Sequence, residues 1–196
     1  GEKSELMEMV RKNAMDMLKQ DGDRILKENR RKEEALEKLR DILNLEKTPY
    51  RIEAFDISNI AGVNSVGSMV VFEYGRPKKS DYRRFKIKTV TAPDDYKSME
   101  EILRRRFTRG IRERELTDEN KLNMKGFSIF PDLVMIDGGK GQVNVALQVL
   151  EELDLDIPVC GLVKDEFHKT RGIIFNNKEI NLEVDSEVYR LIYGIQ

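Results

Sequence analysis

The spacing of apolar positions divides the chain into two kinds of segment. Leu6, Met9, Val10 and Met17 keep near-helical spacing, as do Leu36, Leu39 and Leu43, and predict helices over 4–21 and 23–45. Gly22 separates the two runs, and Thr48-Pro49 ends the second, because the residue before proline avoids the helical region. Both helices are rich in charge and carry a narrow apolar stripe, as expected of an appendage packed on the domain or on a partner.

The character changes at Tyr50. Arg51 to Ile57 and Val66 to Tyr74 read as strands. Gly75-Arg76-Pro77 reads as a turn. Tyr82 to Val90 alternates Phe85 and Ile87 with mostly cationic residues, as a strand with one wet face does. A helix is predicted from about Pro93 to Arg114, then a polar, irregular stretch from 115 to 130. Leu133 to Ile136 is a short apolar run of the buried-strand type. A helix carrying Val145, Leu147, Val149 and Leu150 follows. Pro158 to Val163 is another buried strand, Ile173 to Phe175 and Glu179 to Leu182 form a small hairpin, and Ser186 opens a last helix. Three strands joined by short turns, then alternating helices and strands, make an α/β protein with a mixed sheet flanked by helices. That order suits the ribonuclease-H-like fold, although other mixed sheets share parts of it.

Composition narrows the picture. Of the 196 residues, 39% are hydrophobic and 36% charged, against roughly 25% charged in typical soluble domains. Cys160 is the single cysteine, so an internal disulfide is excluded. No apolar run approaches the roughly 20 residues of a membrane span, and no secretory signal is visible. A cytoplasmic location is therefore expected. The start at Gly1 and the abrupt end at Gln196 lead us to expect a piece of a longer protein.

The net charge of −1 conceals an uneven distribution. Residues 76–114 hold 14 Lys/Arg against 6 Asp/Glu, whereas 115–196 hold 8 against 15. A basic block inside an otherwise acidic chain points to a polyanionic partner or to a solvated charged face. Arg105, Arg109 and Arg112 share one helix face, where they either meet phosphates or bridge neighbouring acids.

The acids suggest chemistry. Asp56 closes the apolar run Phe55-Asp56-Ile57, and Asp137 closes Val134-Met135-Ile136. Adjacent strands would bring the two carboxylates together, and their repulsion is relieved by a hard divalent cation, Mg²⁺ or Mn²⁺. The plainer readings are an Asx turn at Asp56, with Ser58 and Asn59 following, and a helix cap at Asp137. Asp95, in Asp94-Asp95-Tyr96, suits a helix N-terminus on dipole grounds alone. Gly138-Gly139-Lys140-Gly141-Gln142 offers backbone N–H groups and Lys140 to a phosphate, but its glycines do not fit a P-loop or a dinucleotide fingerprint. Cys160 lies in an apolar strand and belongs to the core. No Ser/His/Asp or Cys/His set has workable spacing, which argues against acyl transfer.

Taken in order, Phe55-Asp56-Ile57-Ser58-Asn59, Tyr82-Arg83-Arg84-Phe85, Asp94-Asp95-Tyr96, Arg104-Arg105-Arg106-Phe107, Ile136-Asp137-Gly138-Gly139-Lys140-Gly141-Gln142, and Lys164-Asp165 through His168 to Thr170-Arg171 resemble the C-terminal endonuclease region of UvrC, the incision subunit of bacterial nucleotide excision repair. The match runs from about residue 50 to the end. It implies a helical lead-in over 1–48 and a ribonuclease-H-like endonuclease domain over 49–196. It implies incision 5′ of a lesion with one or two divalent metals, Asp56 and Asp137 as metal ligands, and Asp95 as a further catalytic acid. It implies damaged double-stranded DNA as partner, with contacts at Arg83, Arg84, Arg105, Arg109, Lys140, Gln142, Lys164, His168 and Arg171. UvrB is implied as a partner through parts of the full protein outside this chain. One departure matters. The family also uses a histidine just after the helix that begins at Ser186, where this chain stops. His168 belongs to a different motif and does not take over that role. Weak or absent cutting by this piece is therefore expected. The stretch from Ile111 to Phe130 is longer than in some relatives and receives no role. The competing class is a binding module of the same fold without catalysis.

Overall fold

A computed structural model describes residues 1–60, 63–117 and 125–196 of the chain. The two helices expected at the N-terminus are one, α1 (Glu2–Leu43), unbroken at Gly22. An exposed glycine costs a helix only about 1 kcal/mol relative to alanine, and the Lys, Glu, Leu, Met and Arg around it favour the helix. Asn44 ends α1 in the left-handed conformation, its N–H bonding back to Arg40 and Asp41. Only the last turns are buried, through Ala35, Leu36, Leu39 and Leu43. Leu6, Met9, Val10 and Met17 are exposed.

Among the described residues the sheet has eight strands: β1 (Arg51–Ile60), β2 (Val63–Glu73), β3 (Arg76–Pro77), β4 (Arg83–Lys86), β5 (Leu133–Ile136), β6 (Val159–Lys164), β7 (Thr170–Phe175) and β8 (Lys178–Asn181). Their order is β3-β2-β1-β5-β6-β7-β8, with β4 also paired to β2. β2 runs antiparallel to β1, while β5 and β6 run parallel to it. This is the α/β, ribonuclease-H-like arrangement that the element order suggested. The helices are α2 (Asp95–Thr117), α3 (Lys140–Glu152) and α4 (Glu187–Ile195), the last capped by Ser186.

Alternation along the strands splits the core in two. Phe55, Val71, Val134 and Ile136 meet Met99, Leu103 and Phe107 of α2 and Val149 of α3 on one face. Ile52, Met135, Cys160 and Leu162 meet Leu36 and Leu39 of α1 and Ile192 of α4 on the other.

Three expectations are corrected. The strand expected over Tyr82 to Val90 ends at Lys86. Beyond it, the Glu101 carboxylate on α2 accepts the N–H groups of Lys88 and Thr89 at 2.8–3.1 Å, so those donors are satisfied without a neighbouring strand. The turn at Gly75-Arg76-Pro77 contributes the short strand β3. The irregular region expected from 115 contributes helix as far as Thr117 and a 3-10 turn at Gly126–Ser128. The rest of that unassigned stretch, 118–124, lies outside the described residues.

Arg106 is not a surface cation. Its side chain is fully buried and its guanidinium binds Glu53, also fully buried, at 2.8 and 2.9 Å. The carbonyls of Phe127 and Ile129 take further donors at 2.7 Å each. Gly110, one turn along α2, lets this segment approach, because a Cβ there would collide with the Phe127 carbonyl.

Candidate active site

The parallel ladder between β1 and β5 ends at the pair Phe55/Ile136. Asp56 and Asp137 follow as the next residue on each strand, and the Asp137 N–H donates to the Phe55 carbonyl at 2.9 Å. The two carboxylates therefore stand side by side where β1 and β5 part. β1 itself continues to Ile60, so Asp56 closes the parallel ladder rather than the strand. Both acids line a small cavity of about 120 Å³ with Ser68, Leu162 and Ile195.

Burial first, and then the like charge of Asp137, push the Asp56 carboxyl above the ordinary range, against donation from Ser58 and the positive charge of Lys164. The Ser58 hydroxyl donates to Asp56 at 3.4 Å, so part of the Asx-turn reading is also present. Lys164, the last residue of β6, places its ammonium 2.6 Å from Asp137 Oδ1. Register extends this arrangement across the sheet. Asp56 pairs with Ser68, and Ser68 pairs with Arg84. Paired residues of antiparallel strands share a face, so Arg84, Ser68, Asp56 and Asp137 form one row over β4, β2, β1 and β5, with Lys164 beyond.

Asp95 lies elsewhere. It opens α2 and accepts from the Asn59 side-chain amide N–H at 2.9 Å, and the Asn59 side-chain Oδ1 in turn accepts from the Ser65 hydroxyl at 2.6 Å. Asn59 is an odd number of residues from Asp56 and so projects from the opposite face of β1. Among the described residues no three His, Cys, Asp or Glu side chains gather as a metal set. The arrangement brings Asp56 and Asp137 together and leaves Asp95 away from them, as a support of the end of β1. Two half-buried carboxylates with a single ammonium between them keep a net negative charge, which fits a hard divalent cation that keeps several of its waters.

The expected DNA contacts fall into distinct groups. Arg84 and Lys140 are exposed, with no side-chain partner among the described residues. Arg83 donates to the Ser80 and Tyr82 carbonyls. Arg105 binds Glu101 at 3.1 Å and Arg109 binds Glu113 at 2.8 Å, while Arg171 binds Glu179 at 3.1 Å. All three bridge neighbouring acids, and for Arg105 and Arg109 the plainer reading of the charge block allowed this. Gln142 folds onto Gly138, and its side-chain oxygen is buried with no hydrogen-bond partner among the described residues. His168 sits in an exposed loop with φ of 60°. Cys160 is fully buried, and burial pushes its thiol up to about 12, which leaves it a core residue.

Two features were missed from sequence. Tyr96 lies over the glycine loop, so a Cβ on Gly141 would collide with its ring. That packing joins the Asp94-Asp95-Tyr96 and Gly-rich motifs and explains the small residue at 141. The row through Ser68 and Arg84 depends on the register of β1, β2 and β4. The alternation of each strand carried part of that signal, but the pairing offset did not show.

The chain is similar to known proteins. The family model described as the UvrC RNAse H endonuclease domain matches residues 40–196. The UvrABC system protein C of Clostridium tetani is 57% identical over 198 residues, and that of Clostridium novyi is 52% identical; each alignment covers the whole of this chain and 32% of the relative. The chain thus spans about a third of the length of the curated relatives it matches. Among solved structures, Ciona intestinalis Endonuclease V in complex with an inosine-containing 24mer DNA aligns with a TM-score of 0.37 at 18% identity, over 74% of this chain and 59% of that one.

Proposed function

Because the chain belongs to the UvrC RNase H endonuclease domain family, we propose that it is the part that makes the 5′ incision in nucleotide excision repair, as a DNA endonuclease dependent on Mg²⁺ or Mn²⁺. The observation that carries this reading is the pairing of Asp56 with Asp137 at the end of the parallel ladder, with cations on both sides of the row. Asp56 and Asp137 would hold the cation. When bound, it would activate water and neutralise charge on the phosphate. Arg84 and Lys140 would fix the DNA backbone, and Lys164 would lie at the reacting phosphate. Asp95 would act through Asn59 to hold the end of β1, as a positioning residue rather than a ligand.

The proposed partners are damaged double-stranded DNA and, through the segments that the longer relatives have beyond this span, UvrB. No helix among the described residues is long and apolar enough to cross a membrane. A DNA substrate places the work in the bacterial cytoplasm. The proposed division is a helical lead-in over 1–48 and a nuclease domain over 49–196, onto which the last turns of α1 pack.

One observation favours a non-catalytic DNA-docking module: Lys164 already neutralises Asp137 without any cation. Mn²⁺ binding, followed by incision of a lesion-bearing duplex, decides between the readings. The chain would be assayed with Mn²⁺, with a chelator, and as Asp56→Asn and Asp137→Asn. Product should require both the cation and both acids. Each variant should lose more than the roughly 10–100-fold that disturbing a ligand's supporting groups costs. DNA binding that ignores Mn²⁺, together with no calorimetric binding of Mn²⁺ by wild type, would select the docking module.

A further inference from the structure

The acidic pair holds two carboxylates and one ammonium. Lys164 Nζ lies 2.6 Å from Asp137 Oδ1, and the two side chains are 33% and 20% exposed. The backbone behind Lys164 is held firmly. The Asp165 carboxylate accepts from the N–H groups of Phe167 and Lys169 at 2.9 Å each, and the Asp165 N–H donates to the Lys169 carbonyl at 2.8 Å. The root of the lysine is fixed, and its four-carbon stem carries the ammonium on several rotatable bonds. A lysine ammonium is a point charge that bonds without the two-pronged geometry that would tie an arginine to one carboxylate.

We propose that Lys164 is a positioning residue that stands in for the cation on Asp137 and must release that carboxylate when a divalent cation enters. This rests on the cation-binding reading of Asp56 and Asp137. The charges argue for it. Two carboxylates and one ammonium leave the pocket with a single net negative charge. A dication added with the ammonium still in place leaves it with a single net positive charge. Lys164 is then redundant on Asp137 and repelled by the ion. A phosphodiester carries one negative charge, so the freed ammonium is matched by the group that the site would receive. Without the lysine, the two carboxylates and the ion already balance, and nothing in the pocket favours the phosphate.

Competition of this kind has a signature that neither a structural role nor a simple DNA contact shares. Calorimetric titration of the chain with Mn²⁺, without DNA, would compare wild type with Lys164→Met, Lys164→Gln and Lys164→Arg. The neutral variants should bind Mn²⁺ more tightly by roughly two- to fivefold, the range set by breaking a part-exposed ion pair. Lys164→Arg should bind no more tightly than wild type. Thermal melting of the same samples checks that each is folded. Unchanged or weaker Mn²⁺ binding by folded Lys164→Met and Lys164→Gln would overturn the proposal while leaving the metal site itself standing. Absence of Mn²⁺ binding by wild type would instead remove the metal site, and this inference with it.

Discussion

Arg106 on α2 and Glu53 on β1 form a two-pronged ion pair, at 2.8 and 2.9 Å, from which solvent is fully excluded. Arg51 adds a second cation to the same carboxylate at 3.1 Å, and the Phe127 and Ile129 carbonyls complete the shell of Arg106. The pair ties the central strand to the helix that covers it. Removing Glu53 takes the carboxylate from two buried arginines, and removing Arg106 leaves Glu53 with Arg51 alone, and a buried charge short of partners is costly. Arg106→Met or Glu53→Gln should each lower stability by about 3–5 kcal/mol. The double variant should lose less than the sum of the two, as coupled sites do. Urea unfolding of the four proteins measures this. Additive losses would mean that the two residues act independently.

A second network sets the acid limit of the fold. Burial pushes the Glu73 carboxyl up, but hydrogen bonds from Lys78 and Arg51 outweigh it and hold the group below its ordinary range. Burial also raises Asp81, and there the hydrogen bond and charge of Arg51 prevail and lower it. An acid with a depressed folded pKa contributes stability that is complete above the unfolded carboxylate range, about pH 4, and is lost as pH falls through the folded value. Glu73→Gln with Asp81→Asn should therefore lower Tm at pH 7 by at least about 2–4 °C, the equivalent of about 1 kcal/mol in a chain this size. It should also flatten the decline of Tm below about pH 4. An acid limb as steep as that of wild type would assign acid lability to other carboxylates.

Asp56 gives the opposite sign. It is held beside Asp137 against repulsion, so its charge is a burden on the fold that function requires. In the absence of a divalent cation, Asp56→Asn should raise Tm by roughly 1–3 °C. With saturating Mn²⁺ the order should reverse, because only wild type gains the free energy of binding. Melting curves with and without Mn²⁺ test both halves. A variant less stable than wild type under both conditions would mean that the Asp56 carboxylate serves the fold.

Local signals were legible where one residue's surroundings decide the outcome. The apolar run from Leu133 to Ile136 became β5, and Ser186 became a helix cap because its hydroxyl accepts the Tyr189 N–H. Asp56 and Asp137 could be paired on paper because each ends an apolar run, and parallel neighbours bring such ends together. What stayed hidden depended on partners distant in sequence. Nothing around Arg106 distinguishes it from Arg105, yet one is fully buried on Glu53 and the other lies over the Phe85 ring with Glu101. Lys88 and Thr89 continue an alternating pattern, but a glutamate on α2 takes their donors and ends the strand. Gly22 was overvalued, because one glycine in a long charged helix costs less than its neighbours supply.

The sharpest prediction concerns which cations meet DNA. Charge alone pointed to Arg105 and Arg109, but both are engaged, with Glu101 and Glu113, and their guanidinium groups lie over Phe85 and Phe127. A phosphate would have to compete with an existing carboxylate at each. Arg84 and Lys86 alternate along β4, so they share a face of the sheet, and both are exposed with no side-chain partner among the described residues. Through Ser68, Arg84 stands in the same row as Asp56. A strand of DNA laid over the acidic pair would therefore meet β4 next. Replacing Arg84 and Lys86 with alanine should reduce the slope of log affinity against log salt by about two units, roughly one for each phosphate that is no longer neutralised. Replacing Arg105 and Arg109 should change it by less than about one unit, since each neutral pair contributes little long-range field. Duplex binding measured by anisotropy over a range of salt concentrations separates the two pairs. If the Arg105 and Arg109 variant shows the larger loss, then the glutamates release their arginines to DNA, and the face of α2, not β4, is where the backbone lies.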